Sequence, residues 1–112
     1  MNAKFEVIFL EQAIAFIERL DRKSQSKVIY NIDKAKYKND PKLFKKLKDD
    51  IWEFRTVFAG KQYRLLAFWD KFNATDTLVL ATHGFIKKVS KVPKKEIEKA
   101  KKIRLSYFEQ KD

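Results

Sequence analysis

Phe5, Val7 and Phe9 alternate with Lys4, Glu6 and Ile8, which predicts a short first strand. From Leu10 the pattern changes: Leu10, Ala13, Ile14, Ile17 and Leu20 fall at the spacing of one amphipathic helical stripe. Asp21 to Ser26 reads as a turn. A second helix follows, with Val28, Ile29, Ile32 and Ala35 inward and Lys27, Lys34, Lys36 and Lys38 largely outward. Pro41 ends it, because the residue before a proline is pushed out of helical geometry. A lysine-rich connector leads to a period of two again. The segments 51–58 (IWEFRTVF) and 62–69 (QYRLLAFW) flank Ala59-Gly60-Lys61, a hairpin signal with Gly60 supplying the unusual turn dihedral. After the turn Asp70–Asp76, Thr77–His83 (TLVLATH) forms the third strand of the same meander. Pro93 opens a final helix, where a missing N–H costs least, with Ile97, Ala100, Ile103 and Tyr107 on its apolar side.

The order β-α-α-β-β-β-α predicts an α+β domain. Its N-terminal helical hairpin packs on a twisted, mainly antiparallel sheet, and a C-terminal helix closes the chain. With 112 residues, 1–112 is read as a single domain. Cysteine is absent and there is one histidine, which argues against disulfides, cysteine metal sites and histidine clusters, so no metal and no cofactor is expected. Apolar runs such as Ala13–Ile17 reach five residues, far short of a membrane span or a signal peptide. The expectation is a reduced, soluble, cytoplasmic protein with no membrane contact.

Charge adds the first functional hint. Twenty-six basic against 15 acidic side chains give +11, the footprint of a phosphate-rich partner on so small a domain. Five lysines (87, 88, 91, 94 and 95) gather around the seam between the last strand and the last helix. Ordinary solvated surface and a face turned toward a polyanion both account for them.

The hairpin narrows the choice. A two-residue Gly60-Lys61 turn pairs Phe58 with Tyr63, Val57 with Arg64 and Arg55 with Leu66. One face then carries Trp52, Phe54, Phe58, Tyr63, Leu65 and Trp69, and it must be core. The other carries Glu53, Arg55, Val57, Arg64, Leu66 and Phe68, making Arg55 and Arg64 diagonal neighbours. A Glu–Arg pair on a solvated face is one reading of this cluster. The other is a phosphate site, since guanidinium donors match phosphate oxygens. On that polar face, loss of Arg64 is expected to leave the aromatic core untouched. Lys87 and Lys88 emerge at one edge of the charged face, and Lys46 and Lys48 lead into Trp52, so basic residues from two segments are expected to converge on one rim.

The motifs Trp52-Glu53-Phe54-Arg55, Tyr63-Arg64, Gly84-Phe85-Ile86-Lys87-Lys88 and Pro93 to Ala100, in this order, resemble the RelE/ParE toxin superfamily. Within it the resemblance is to the HigB-like, phage-derived branch, and it covers nearly the whole chain. It implies a RelE-like fold and the toxin of a type II toxin–antitoxin pair. Such a toxin is a metal-independent endoribonuclease that cuts messenger RNA in the ribosomal A site and is held in check by a cognate antitoxin, a helix-turn-helix protein. The family chemistry is attack of a ribose 2′-hydroxyl on the adjacent phosphate, which calls for an acid, a base and positive charge.

By that resemblance Arg64 stabilises the phosphate, Arg55 shares or positions, and Lys87 or Lys88 protonates the leaving oxygen. Glu53 stands where well-known RelE members carry lysine; it accepts the 2′-hydroxyl proton or, the reading preferred here, orients Arg55. Lys46, Lys48, Lys88 and Lys91 are assigned to nucleic-acid binding. Tyr107 is read as core, Phe68 and Phe72 as sheet packing rather than base stacking, and His83 as a packed strand-end residue rather than an acid–base group. A gyrase poison of the ParE type and a non-catalytic nucleic-acid-binding phage protein are the rival readings.

Overall fold

A computed structural model describes residues 2–71 and 77–111. The elements run β1 (Glu6–Phe9), α1 (Glu11–Glu18), α2 (Arg22–Ala35), β2 (Phe44–Lys46), β3 (Trp52–Phe58), β4 (Lys61–Asp70), β5 (Leu78–Lys87) and α3 (Lys94–Gln110). One five-stranded sheet has the order β1-β5-β4-β3-β2, with β1 parallel to β5 and every other neighbour antiparallel. This is the α+β architecture the periodicity predicts, with β2 added. The expected turn at 70–76 and Phe72 fall largely outside the described residues.

Several boundaries differ from the sequence reading, each for a local reason. The second helix starts at Arg22 rather than after Ser26, because Asp21 caps it: its carboxylate accepts from the Ser24 amide at 2.9 Å and from the Ser24 hydroxyl at 2.9 Å. Ser24 is then buried, reaching Tyr63 Oη at 3.1 Å. In α1 the buried stripe is Ala13 and Phe16, while Ile14 is 45% exposed; in α2 Ile29 is 43% exposed and Val28, Ile32 and Ala35 carry the packing. The lysine-rich connector contains β2, held by Phe44, whose ring stacks on Phe54 at 4.3 Å and Trp52 at 4.9 Å.

The hairpin turn is Ala59-Gly60, not Gly60-Lys61. Both residues take positive φ, 51° and 77°, as a tight hairpin turn of matching twist requires. Phe58 therefore pairs with Lys61, and Arg55 faces Arg64 directly instead of diagonally. The shift is two residues, so both faces keep their membership. On β5, Gly84 lies under α1, where a Cβ would run into the Phe16 ring.

Each face of the sheet carries a buried core. The α1–α2 side holds Phe5, Ala13, Phe16, Val28, Phe54, Leu65 and their neighbours. The second face, for which a solvated surface is one reading of the sequence, is covered over part of its area: α3 crosses it, burying Ile51, Leu66, Phe68 and Leu80 against Ile97 and Ala100. β4 is the central strand of five, so it is covered on both sides, as Phe68 at 0% exposure shows. Tyr107 and Phe108 pack at the edge of this second core.

Candidate functional site

Beyond the cover of α3, toward the hairpin turn, the second face turns polar. Pairing sets three adjacent rows: Lys45, Glu53, Leu66 and His83; then Arg55, Arg64 and Phe85; then Val57, Gln62 and Lys87. Exposure rises along them. Arg64 and Glu53 are 1% and 3% exposed, Arg55 and Lys87 are half-buried, and Val57 is 66% exposed. A floor of buried charge thus opens to solvent at the turn.

Glu53 joins the two arginines. Its Oε1 lies 3.3 Å from Arg55 Nε and its Oε2 3.5 Å from Arg64 Nε. The second approach lacks hydrogen-bond geometry, leaving Glu53 Oε2 and Arg64 Nε paired by charge alone among the described residues. Arg64 also donates from Nη1 to the Tyr63 carbonyl at 3.1 Å and from Nη2 to Gln62 Oε1 at 2.8 Å. Arg55 donates from Nη1 to the Pro41 carbonyl at 3.3 Å, which fixes it to the segment before β2.

The electrostatics follow from crowding. Burial holds the Arg64 guanidinium below the usual arginine range; Glu53 pulls it back up and Arg55 pushes it down again. Arginine starts so high that it stays charged. Burial also lowers the Lys87 ammonium from the ordinary lysine range; Arg64 lowers it further, Glu53 opposes, and Arg55 and Lys45 add to the fall. Four cations around one carboxylate are mutually repulsive, and an incoming phosphate relieves that repulsion. Beside them a cleft of about 680 Å³ runs between the hairpin turn and the end of β5, lined by Lys61, Gln62, Lys87, Lys88 and Ser90 among others.

Of the residues singled out from sequence, Glu53, Arg55, Arg64 and Lys87 come together, and Lys88 lines the adjoining cleft. Arg64 is not a removable surface group; it is part of the buried floor. The expected convergence of Lys46 and Lys48 with Lys87 is not what the fold produces. Lys46 pairs with Trp52 at the far end of β3, five residues of β4 away from Gln62, or about 17 Å. Lys48 is exposed in the following turn and Lys91 in the connection to α3. The residue of β2 that does share the site is Lys45, missed because a three-residue strand leaves no readable period. Gln62 was missed because a glutamine in a hairpin carries no signal until the register is known.

His83 stands apart, buried beneath α3. Its Nε2 meets Glu96 Oε1 at 3.0 Å and its Nδ1 meets the Thr82 hydroxyl at 2.9 Å. A bulge after Leu66 places Thr82 and His83 there. Among the described residues no group of three or more His, Asp or Glu side chains could hold a metal ion, and no helix is long and apolar enough to cross a membrane.

A family model described as phage-derived protein Gp49-like (DUF891) matches residues 15–104, from α1 to the middle of α3. No match is found among curated proteins.

Proposed function

The chain belongs to the Gp49-like family of phage-derived proteins, a family of RelE-like toxins, and on that premise we propose that it is a ribosome-dependent endoribonuclease that cuts messenger RNA in the A site. The family implies an antitoxin partner; a helix-turn-helix protein fits that role. The observation that carries the reading is the arrangement of Arg55 and Arg64 around Glu53 with Lys87 on the neighbouring strand.

In-line attack forms the O2′–P bond and breaks the P–O5′ bond. It leaves a cyclic phosphate on one fragment and a hydroxyl on the other. Negative charge grows on the non-bridging oxygens, and preorganised donors there supply the largest share of catalysis. Arg55 is the guanidinium within reach of solvent. Arg64 reinforces it from below, and the Gln62 carboxamide oxygen occupies the place on Nη2 that a phosphate oxygen takes when RNA enters. Lys87, its ammonium made more acidic by burial and by Arg64, gives a proton to the departing 5′-oxygen. The proton of the attacking hydroxyl passes to solvent in the open cleft. Glu53, with each oxygen directed at an arginine, positions the guanidinium groups rather than acting as the base.

Pulse labelling after expression without a partner tests this reading. Protein synthesis is expected to fall within minutes, ahead of DNA synthesis. A primary block in DNA synthesis would reassign the chain to gyrase poisoning.

A further inference from the structure

At the other end of the hairpin a second cleft, of about 250 Å³, lies between the sheet and α3, lined by Lys46, Asp50, Trp52, Trp69, Lys71, Arg104 and Phe108. Both tryptophans of the chain are there. They meet edge to face, 5.7 Å apart at 75°. Trp52 is stacked on Phe44, and Trp69 rests against Phe5 at 5.2 Å, so this wall is continuous with the aromatic core and rigid. The opposite wall is the last turns of α3, where Phe108 packs on Phe68 at 5.6 Å. The buried Asp70 carboxylate anchors that end of the helix, accepting from Tyr107 Oη at 2.8 Å and pairing with Lys111.

The polar groups of this cleft are three cations against one carboxylate, Asp50, and they are incompletely used. Lys71 Nζ sits 5.4 Å above the Trp69 ring, and Arg104 Cζ 5.2 Å from the Phe108 ring. Arg104 is matched only loosely, with Nη2 at 3.8 Å from the exposed Asp50. Two buried donors, Trp69 Nε1 and Arg104 Nε, have no hydrogen-bond partner among the described residues. A buried donor without an acceptor is rare and unfavourable, and an acceptor brought by a ligand removes that cost.

We propose that this cleft binds one nucleobase of a single-stranded nucleic acid together with its adjoining phosphate. The base takes the place above Trp69 now held by the exposed, movable Lys71, and the phosphate is met by Lys46, Lys71 and Arg104. Aromatic faces interleaved with lysine and arginine are what single strands bind to without sequence preference. The volume lies just below the roughly 300–1,000 Å³ of pockets for drug-sized molecules, which suits a single base and excludes a duplex. Its separation from the Arg55–Arg64 cluster makes it a second point of hold on a strand. It stands whether or not the chain cuts RNA.

Because the only tryptophans line the cleft, their emission reports its occupancy directly. The full chain is titrated at low salt with hexadeoxyadenylate, which lacks the 2′-hydroxyl and so cannot be cut by such chemistry. Saturable quenching is expected, weakened about tenfold by Arg104→Ala, the loss of one charge-assisted phosphate contact, and weakened also by Lys46→Ala. Inorganic polyphosphate of equal charge meets only the cations and is expected to quench clearly less. The proposal is overturned by no quenching at all or by equal quenching with polyphosphate or polyglutamate. Quenching insensitive to both substitutions, in variants whose circular dichroism matches wild type, overturns it too.

Discussion

Arg64 Nε and Glu53 Oε2 lie 3.5 Å apart on side chains 1% and 4% exposed, and neither atom has a hydrogen-bond partner among the described residues. Each charge is tolerated because the other is there. Arg64→Ala leaves the buried Glu53 with Arg55 as its one remaining cationic partner among the described residues, and is therefore expected to destabilise the fold by about 1–3 kcal/mol, the usual cost of a buried acceptor that loses its partner. Urea denaturation measures it. A joint Glu53→Leu, Arg64→Leu replacement should recover most of the loss, since a buried pair is often no better than apolar side chains of similar size. A single-variant loss below about 0.5 kcal/mol, typical of surface positions, would show that the two charges are independently solvated.

Lys87 and Lys88 are separable. Lys87 pairs with Gln62 at the edge of the arginine row, whereas Lys88 lies beyond the end of β5 and is exposed. Lys87→Ala is expected to reduce cleavage by about 100-fold or more, within the range for loss of a positioned proton donor. Lys88→Ala should change it only a few-fold, through binding and with a shallower salt dependence. Equal defects in single-turnover assays would mean that only net charge matters at the seam.

Gln62 offers a test of access to Arg64. Its amide oxygen accepts from Arg64 Nη2 at 2.8 Å, and its side chain is exposed. Gln62→Glu puts a charged competitor on the same nitrogen, so cleavage should fall sharply with stability kept or raised. Gln62→Ala should retain most activity. If the two variants behave alike, Arg64 does not meet the phosphate.

The meander was legible because β3, β4 and β5 are apolar-rich segments of seven to ten residues and the turn between β3 and β4 carries glycine. The pairing of faces survived a misplaced turn because a two-residue slip preserves side-chain parity. What sequence could not show is that α3 would close over the part of that face next to the charges. Glu53 and Arg64 read as surface residues until the fold shows them 3% and 1% exposed, beside the Leu66 that Ile97 and Ala100 cover. Likewise Ile14 and Ile29 fit a helical stripe but lie exposed, because burial is decided by where each helix meets the sheet. The toxin-like identity was carried by four short motifs taken together, and the match over 15–104 supports it at the level of the family.

His83 gives a pH prediction unconnected with catalysis. Burial lowers its pKa from the ordinary 6.5; the Glu96 hydrogen bond and charge oppose that, and Lys99 adds to it. With the folded value below the unfolded one, the unfolded chain takes up the proton first as pH falls. Stability attributable to His83 is thus complete above about pH 6.5 and declines as pH drops through the lowered value. His83→Gln should flatten that part of the urea-midpoint profile. A profile of unchanged slope would show that other groups cause it.

The most direct measurement is cleavage of ribosome-bound messenger RNA, read by primer extension, with wild type and Arg55→Ala compared at equal ribosome occupancy. Arg55 is the half-buried, solvent-reachable member of the arginine pair, so its removal tests the phosphate site with less disturbance of the floor. Wild type is expected to cut within the A-site codon. Arg55→Ala should be slower by about 100- to 1,000-fold, as for one lost donor to developing charge, with circular dichroism and ribosome co-sedimentation unchanged. Undiminished cutting by Arg55→Ala, or ribosome binding by wild type without any cut, would contradict the account.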